Sequence, residues 1–370
     1  MEGILNNSTI QQINSSTILS MHIETKIWGK GPDGEDVRLF TMENEHGVRV
    51  QLCEIGAGIV SLWTPDRDGR MADIVLGYAK PEDYFGDGPC MGKVPGRSAN
   101  RIAHGRFCLD GETYQLDLNT AGGKHHLHGG AMGFANRLWK GEVVDDSVVF
   151  TYTAADGEQG YPGKLTATVR YTLTDFNTLC VDLQAVTDKP TVVNLTNHTY
   201  FNLKGEGDGD ILDHDLRVFA GQYLATDDDL VPTGEMCSVE GTPMDFREEK
   251  RIGRDINADF DALRAGKGYD SCWVLDKDDN TMTMAAQLSH EGTGRLVGIA
   301  TTQRGLQVYT GNWLEGCPQG KNGHRYHDYS GVALECQALP DAPNHAHFHS
   351  TILREGETYH ESIIFYFLTF

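Results

Sequence analysis

Six stretches of the chain alternate apolar and polar residues with the two-residue period of a β-strand. They are VRVQLCEI (48–55), SVVFTYTA (147–154), KLTATVRYTL (164–173), TMTMAAQL (281–288), LVGIATT (296–302) and ESIIFYFL (361–368). Successive strand side chains point to opposite faces, so this alternation predicts strands with one buried face. Their β-branched and aromatic residues suit a pleated, half-buried surface. Turn signals lie between them: PDRDGR (65–70), DGE (110–112 and 156–158) and KDDN (277–280). Helical periodicity is scarce. The best candidate is DINADFDALRA (255–265), opened by an aspartate that can cap it. Many short strands and few helices predict an all-β sandwich. There is no βα alternation and no GxGxxG, which argues against a dinucleotide-binding fold. No linker is visible, so residues 21–370 are expected to form a single domain behind a flexible N-terminal extension, residues 1–20.

Composition narrows the function classes. The formal net charge of −22 repels phosphate backbones and anionic membrane surfaces. Neither nucleic acid nor membrane is an expected partner, and a neutral small molecule fits better than a highly anionic one. Forty-three glycines against 12 prolines suit many turns and bulges. Eight cysteines are scattered singly with no CxxC pair, as in a reducing intracellular compartment. Residues 1–20 lack the basic start and apolar core of a signal peptide, and no stretch approaches about 18 apolar residues, so a cytoplasmic location is expected. Asn-x-Ser/Thr matches at Asn6, Asn7, Asn14, Asn194 and Asn197 matter only in a secretory pathway.

Five stretches interrupt this structural pattern with polar chemistry: GRSANRI (96–102), HHLHGG (125–130), NLTNHTYFNL (194–203), GKGYDSCW (266–273) and VALECQALPDAPN (332–344). Glu335 sits inside an apolar, strand-like run near its end. A carboxylate there either faces solvent or is buried with partners, and a partly buried glutamate is tunable for general-base work near neutral pH. His198 also lies in a strand-like context, either as a satisfied structural histidine or as an acid–base group. Asn194 and Asn197 beside it can fix its tautomer or bind hydroxyls. The glycines of HHLHGG allow a ligand or another backbone to approach closely. Arg101 offers a permanent charge with rigid donors, or a structural ion pair. Asp270 follows a glycine-rich turn that it can simply cap.

In combination, GRSANRI, LHGG, NLTNHTYFNL, GYDSCWVL, QVYTGN and LECQALPDAPN, in this order and at these spacings, resemble the aldose 1-epimerases. DGEQGYPG (156–163) and VPTGE (231–235) extend the resemblance, which runs from about residue 22 to the C-terminus. It implies a large antiparallel β-sandwich and interconversion of α and β anomers of free hexoses such as galactose and glucose, with no cofactor and no metal. It implies that Glu335 is the general base and His198 the general acid. It further implies that Asn100, Arg101, His128, Asp270 and Gln307 contact the sugar. A monomer or homodimer is expected.

Alternatives follow from single features. Glu335 and Asp270 could pair as the two carboxylates that glycoside hydrolysis needs. The same fold can bind carbohydrate without turnover. On a strand, His345, His347 and His349 of HAHFH would share one face and could hold a metal. An epimerase of phosphorylated hexose needs a basic cluster that the sequence does not show. One departure from the family pattern stands out: Ser271 follows the GYD aspartate where the family often has histidine, with a possible effect on sugar preference. His125 and His126 precede LHGG without a role that carries over.

Overall fold

The computed structural model describes residues 22–277 and 281–370. The proposed extension, residues 1–20, and the last three residues of the KDDN turn lie outside the described residues. All six alternating stretches form strands: Arg49–Cys53, Ser147–Ala154, Leu165–Thr174, Thr283–His290, Arg295–Thr301 and Tyr359–Thr369. Along Leu165–Thr174 burial alternates residue by residue, as the pattern requires.

Three large antiparallel sheets carry the fold. A nine-stranded sheet runs in the spatial order Lys140–Val144, Ser147–Ala154, Leu165–Thr174, Thr178–Thr187, Tyr359–Thr369, Arg295–Thr301, Thr283–His290, Asp215–Val218 and Lys250–Arg251. A five-stranded sheet from the N-terminal part, His22–Lys30 through Met71–Asp73, is built of consecutive hairpins. A six-stranded sheet is ordered Tyr200–Phe201, Val332–Gln337, Gly305–Tyr309, Asp270–Val274, Gln222–Thr226 and Pro232–Ser238. One apolar core joins all three: Phe40, Met42 and Leu62 from the first part, Val169, Val181 and Phe365 from the largest sheet, and Leu306, Val308 and Leu334 from the six-stranded one. This is the large antiparallel sandwich expected. Among the described residues no helix reaches seven residues, and none is long and apolar enough to cross a membrane.

Two local expectations change. The helix placed at 255–265 spans only Asp261–Gly266, and its N-cap is Phe260, without a side-chain cap. Asp255 lies five residues before that N-cap and so cannot cap the helix; its carboxylate bonds Lys250 (2.8 Å) and Arg254 (3.1 Å). HAHFH is a turn rather than a strand. Asp341 takes a left-handed backbone (φ +59°), Ala342–Asn344 form a 3-10 turn, and the chain closes through His345 N–H to the Ala342 carbonyl. The alternation that would have set His345, His347 and His349 on one face is therefore missing. His347 instead pairs with the Gly234 carbonyl (2.8 Å).

A buried ammonium holds the cleft-forming loops to the sandwich. Lys321, 8% exposed, lies within hydrogen-bond reach of the Val60 and Val75 carbonyls (2.7 and 2.9 Å), Ser61 Oγ (3.0 Å) and Asp73 Oδ2 (2.6 Å). Removing one partner of a buried pair strands the other charge, at a cost of about 3–5 kcal/mol. Lys321→Met is expected to lose stability of that order in urea unfolding. Lys30→Met, which breaks the exposed Lys30–Asp36 pair, is expected to leave the midpoint nearly unmoved.

Candidate active site

The outer face of the six-stranded sheet is the floor of a cleft of about 650 Å³. Strand alternation explains why. In Val332–Gln337 the side chains of Val332, Leu334 and Cys336 enter the apolar core, so Glu335 must point the other way. In Gly305–Tyr309, Leu306 and Val308 enter the core and leave Gln307 and Tyr309 outward. Register aligns Glu335 opposite Gln307, Gln307 opposite Cys272, and Tyr309 opposite Asp270. Outward positions of three neighbouring strands thus form one polar patch.

Glu335 is 2% exposed and His198 4% exposed. His198 Nε2 faces Glu335 Oε1 at 3.4 Å. Glu335 Oε2 and His198 Nδ1 are buried with no protein partner. Burial disfavours the charged form of each group. It raises the Glu335 carboxyl well above the usual carboxylate range and lowers the His198 imidazole to about 4. The histidine is held by its backbone: His198 N–H donates to the Lys93 carbonyl (2.9 Å), and Gly92 N–H donates to the His198 carbonyl (3.0 Å).

His128 reaches the pair from LHGG, its ring centroid 5.3 Å from that of His198. Asn100 N–H donates to His128 Nδ1 (3.2 Å), and His128 N–H donates to the Asn100 carbonyl (3.1 Å). Both residues hold left-handed backbone, φ +59° and +51°, a strain that the reciprocal pairing stabilises. Since Nδ1 accepts, the neutral ring carries its proton on Nε2. Burial and the neighbouring His198 keep His128 neutral by pushing its pKa well below the ordinary value. His128, His198 and Glu335 bring ligand atoms within 4.8 Å of one another, yet an Nε2–H offers a donor and no lone pair. The trio suits hydroxyl groups better than a metal ion.

Arg101 and Asp270 line the cleft as a nearly buried pair (Nη2 to Oδ2, 3.4 Å), and Gln307 Nε2 donates to Asp270 Oδ1 (2.6 Å). The structure therefore gathers Glu335, His198, His128, Asn100, Arg101 and Asp270 around the cleft and sets Gln307 beneath Asp270. Tyr200, Tyr309 and Trp313 also line it, and Trp313 is 60% exposed at the rim. Strand spacing could have found Tyr309, since it stands two residues after Gln307 on the same face.

Other expectations move from the site to the scaffold. Asn194 accepts from Ala338 N–H (2.9 Å), and Asn197 Nδ2 donates to the Gly92 carbonyl (3.3 Å). Both are 2% exposed or less, so they tie backbone rather than hold sugar or carry glycan. Gly129 (φ +85°) exists for a backbone contact, because a Cβ there would meet the Gly96 carbonyl oxygen at 1.7 Å. His126 is buried between the Asp117 carbonyl (2.6 Å) and the Tyr161 hydroxyl (2.7 Å). His125 accepts from His104 N–H (3.0 Å). Ser271 shares the core face of its strand with Trp273, beside Val308, and does not line the cleft.

A large antiparallel β-sandwich with a buried carboxyl–imidazole pair on the floor of a polar cleft describes an acid–base enzyme for a hydroxylated ligand. Comparison with known proteins is specific. Residues 38–366 match the aldose 1-epimerase family. Galactose mutarotase of Bos taurus is 41% identical over 331 residues, covering 90% of this chain and 94% of the relative. Aldose 1-epimerase of Escherichia coli K12 is 40% identical over 333 residues, covering 89% and 94%. Galactose 1-epimerase from Lactobacillus acidophilus superposes with a TM-score of 0.82 at 30% identity, over 95% of this chain and 99% of that one. The chain belongs to the aldose 1-epimerase family and is an isomerase of the mutarotase type.

Two measurements test this geometry. The folded chain binds the Glu335 proton more tightly than the unfolded chain, so native stability falls as pH rises above the ordinary carboxyl range of about 4.3. Glutamine carries no such dependence. Glu335→Gln is expected to melt above the wild type at about pH 8, with the margin shrinking toward about pH 5. Ser271→Ala is expected to leave the KM values for galactose and glucose unchanged, because the hydroxyl lies on the core face.

Proposed function

We propose that this protein interconverts the α and β anomers of free aldohexoses, with Glu335 as base and His198 as acid. The observation that carries the reading is the His198–Glu335 pair, facing across 3.4 Å at the cleft floor with further buried polar atoms left unpartnered. Anomer exchange opens the ring at the C1–O5 bond. The C1 hydroxyl loses a proton while O5 gains one. Glu335 as carboxylate takes the first, and protonated His198 gives the second. The aldehyde rotates about C1–C2, and the transfers reverse on closure.

Burial assists this exchange. The ion pair and the neutral pair hold the same number of protons, so the empty site interconverts them without solvent. Ring opening carries the site from ion pair to neutral pair, the distribution that a dry environment favours. Orientation adds to the effect, because both groups are fixed in one frame. His128 Nε2–H, Asn100, Arg101 and Asp270 are the proposed hydroxyl contacts, and Gln307 acts by holding Asp270.

A neutral sugar fits the cleft charge. Arg101 is the one lysine or arginine lining it among the described residues, and Asp270 pairs with it. Glu82, Asp83 and Glu315 add acidic groups around the walls, while Asp87 is neutralised by Lys93. That field repels a phosphorylated hexose. The pairing of Asp270 with Arg101 and Gln307 also leaves it poorly placed as a second hydrolytic carboxylate. We further propose the cytoplasm as the place of work, supported by eight cysteines without a disulfide.

Polarimetry or NMR of freshly dissolved α-D-galactose and α-D-glucose tests the assignment. Glu335→Gln and His198→Asn are each expected to lower kcat by about 10²–10⁴, in protein whose activity survives EDTA. Near-full turnover in His198→Asn would remove it as the acid. Sugar binding without exchange in the wild type would favour the binding-protein reading. The rate should follow a bell-shaped pH profile. It falls on the acid side, where the pair gains a proton and loses its base, and on the alkaline side, where the last proton leaves and the acid is lost.

A further inference from the structure

We propose that the buried Lys93–Asp87 pair is a positioning device for the isomerisation, fixing the distance between His198 and the cleft wall at residues 84–89. The pair lies outside the reacting groups, and both side chains are 0% exposed. Lys93 is joined to the site at both ends. Its carbonyl accepts the His198 N–H at 2.9 Å. Its ammonium bonds the Tyr84 carbonyl (2.6 Å), Asn136 Oδ1 (2.9 Å) and Asp87 Oδ1. Asp87 Oδ2 accepts from Met91 N–H (2.9 Å) and the Tyr78 hydroxyl (3.2 Å), and Asn136 Oδ1 also accepts Gly86 N–H (3.1 Å). Phe85, Gly86, Asp87, Gly88 and Pro89 line the cleft.

One side chain therefore ties the backbone that carries His198 to a wall of the same cleft. A buried ion pair adds little stability over an apolar pair of similar volume. What an ammonium adds, and a methionine cannot, is three directed bonds, two to the wall at Tyr84 and Asp87 and one to Asn136. An error of about 1 Å in the placement of reacting groups costs about 10² in rate, so the tether has kinetic value without large value for stability.

The inference rests on the proposed role of His198, and its test separates the two. Lys93→Met strands Asp87 and is expected to destabilise. Lys93→Met/Asp87→Leu removes both charges together and is expected to recover most of the stability. Asn136→Ala, which cuts one of the three ammonium bonds together with the Gly86 N–H bond, is the milder variant. Exchange kinetics report kcat and KM. Binding of 1,5-anhydrogalactitol, which cannot open, reports the wall without the chemistry. The expected result for the stable double variant is a kcat/KM about 10² below wild type, with analogue binding weakened about tenfold and Asn136→Ala intermediate. Wild-type kinetics and analogue binding in a stably folded double variant, or in Asn136→Ala should the double variant not fold, would overturn the proposal. Weakened analogue binding together with full activity of His198→Asn would uphold the tether to the wall and overturn the acid assignment instead.

Discussion

A carboxyl group and an imidazole face each other at 3.4 Å in a place that admits almost no water, and the rest of the structure is arranged around that burden. Neither group can hold charge alone there without a large desolvation cost. As a pair they share one mobile proton and remain neutral overall. In the proposed exchange, the same burial that penalises the fold at Glu335 makes the two proton transfers of ring opening run toward the favoured distribution. Stability and chemistry are opposed at this residue, and the sandwich is large enough to bear the opposition.

The six-stranded sheet resolves it with strand alternation. Its inner face is apolar and continuous with the main core through Leu306, Val308, Leu334 and Trp273. Its outer face carries Glu335, Gln307, Tyr309 and Asp270 on neighbouring strands in register. Core packing on one side thus locks the polar cleft residues on the other, since a slip of one residue would exchange the faces. Loops complete the cleft, and loops lack a core of their own. Here buried ammonium groups substitute for one: Lys321 ties its segment to the backbone at Val60 and Val75, and Lys93 ties the wall to the backbone of His198.

Much of this was legible along the chain. Alternation located strands because period-two patterning is local and a half-buried sheet enforces it. The motifs marked Glu335, His198, His128, Asn100, Arg101 and Asp270, which the fold gathers around one cleft although nearly 240 residues separate the outermost of them. HAHFH stayed open because three alternating histidines would share a face on a strand, while a left-handed Asp341 and the following proline lead into a turn. DINADFDALRA misled because the helix begins only at Asp261, and Asp255, left outside it, bonds Lys250 instead.

The sequence by itself determined the strand content, the class of fold, the family and the residue types available for proton transfer, because each depends on local pattern or on motifs read in order. Only the tertiary structure decided what those residues do to one another. It set the side of the strand on which Ser271 lies, the tautomer of His128, the burial that raises Glu335 and lowers His198, and the demotion of Asn194 and Asn197 to scaffold. These depend on register across strands and on contacts between segments far apart in the chain. Such contacts leave no signature in the spacing of residues.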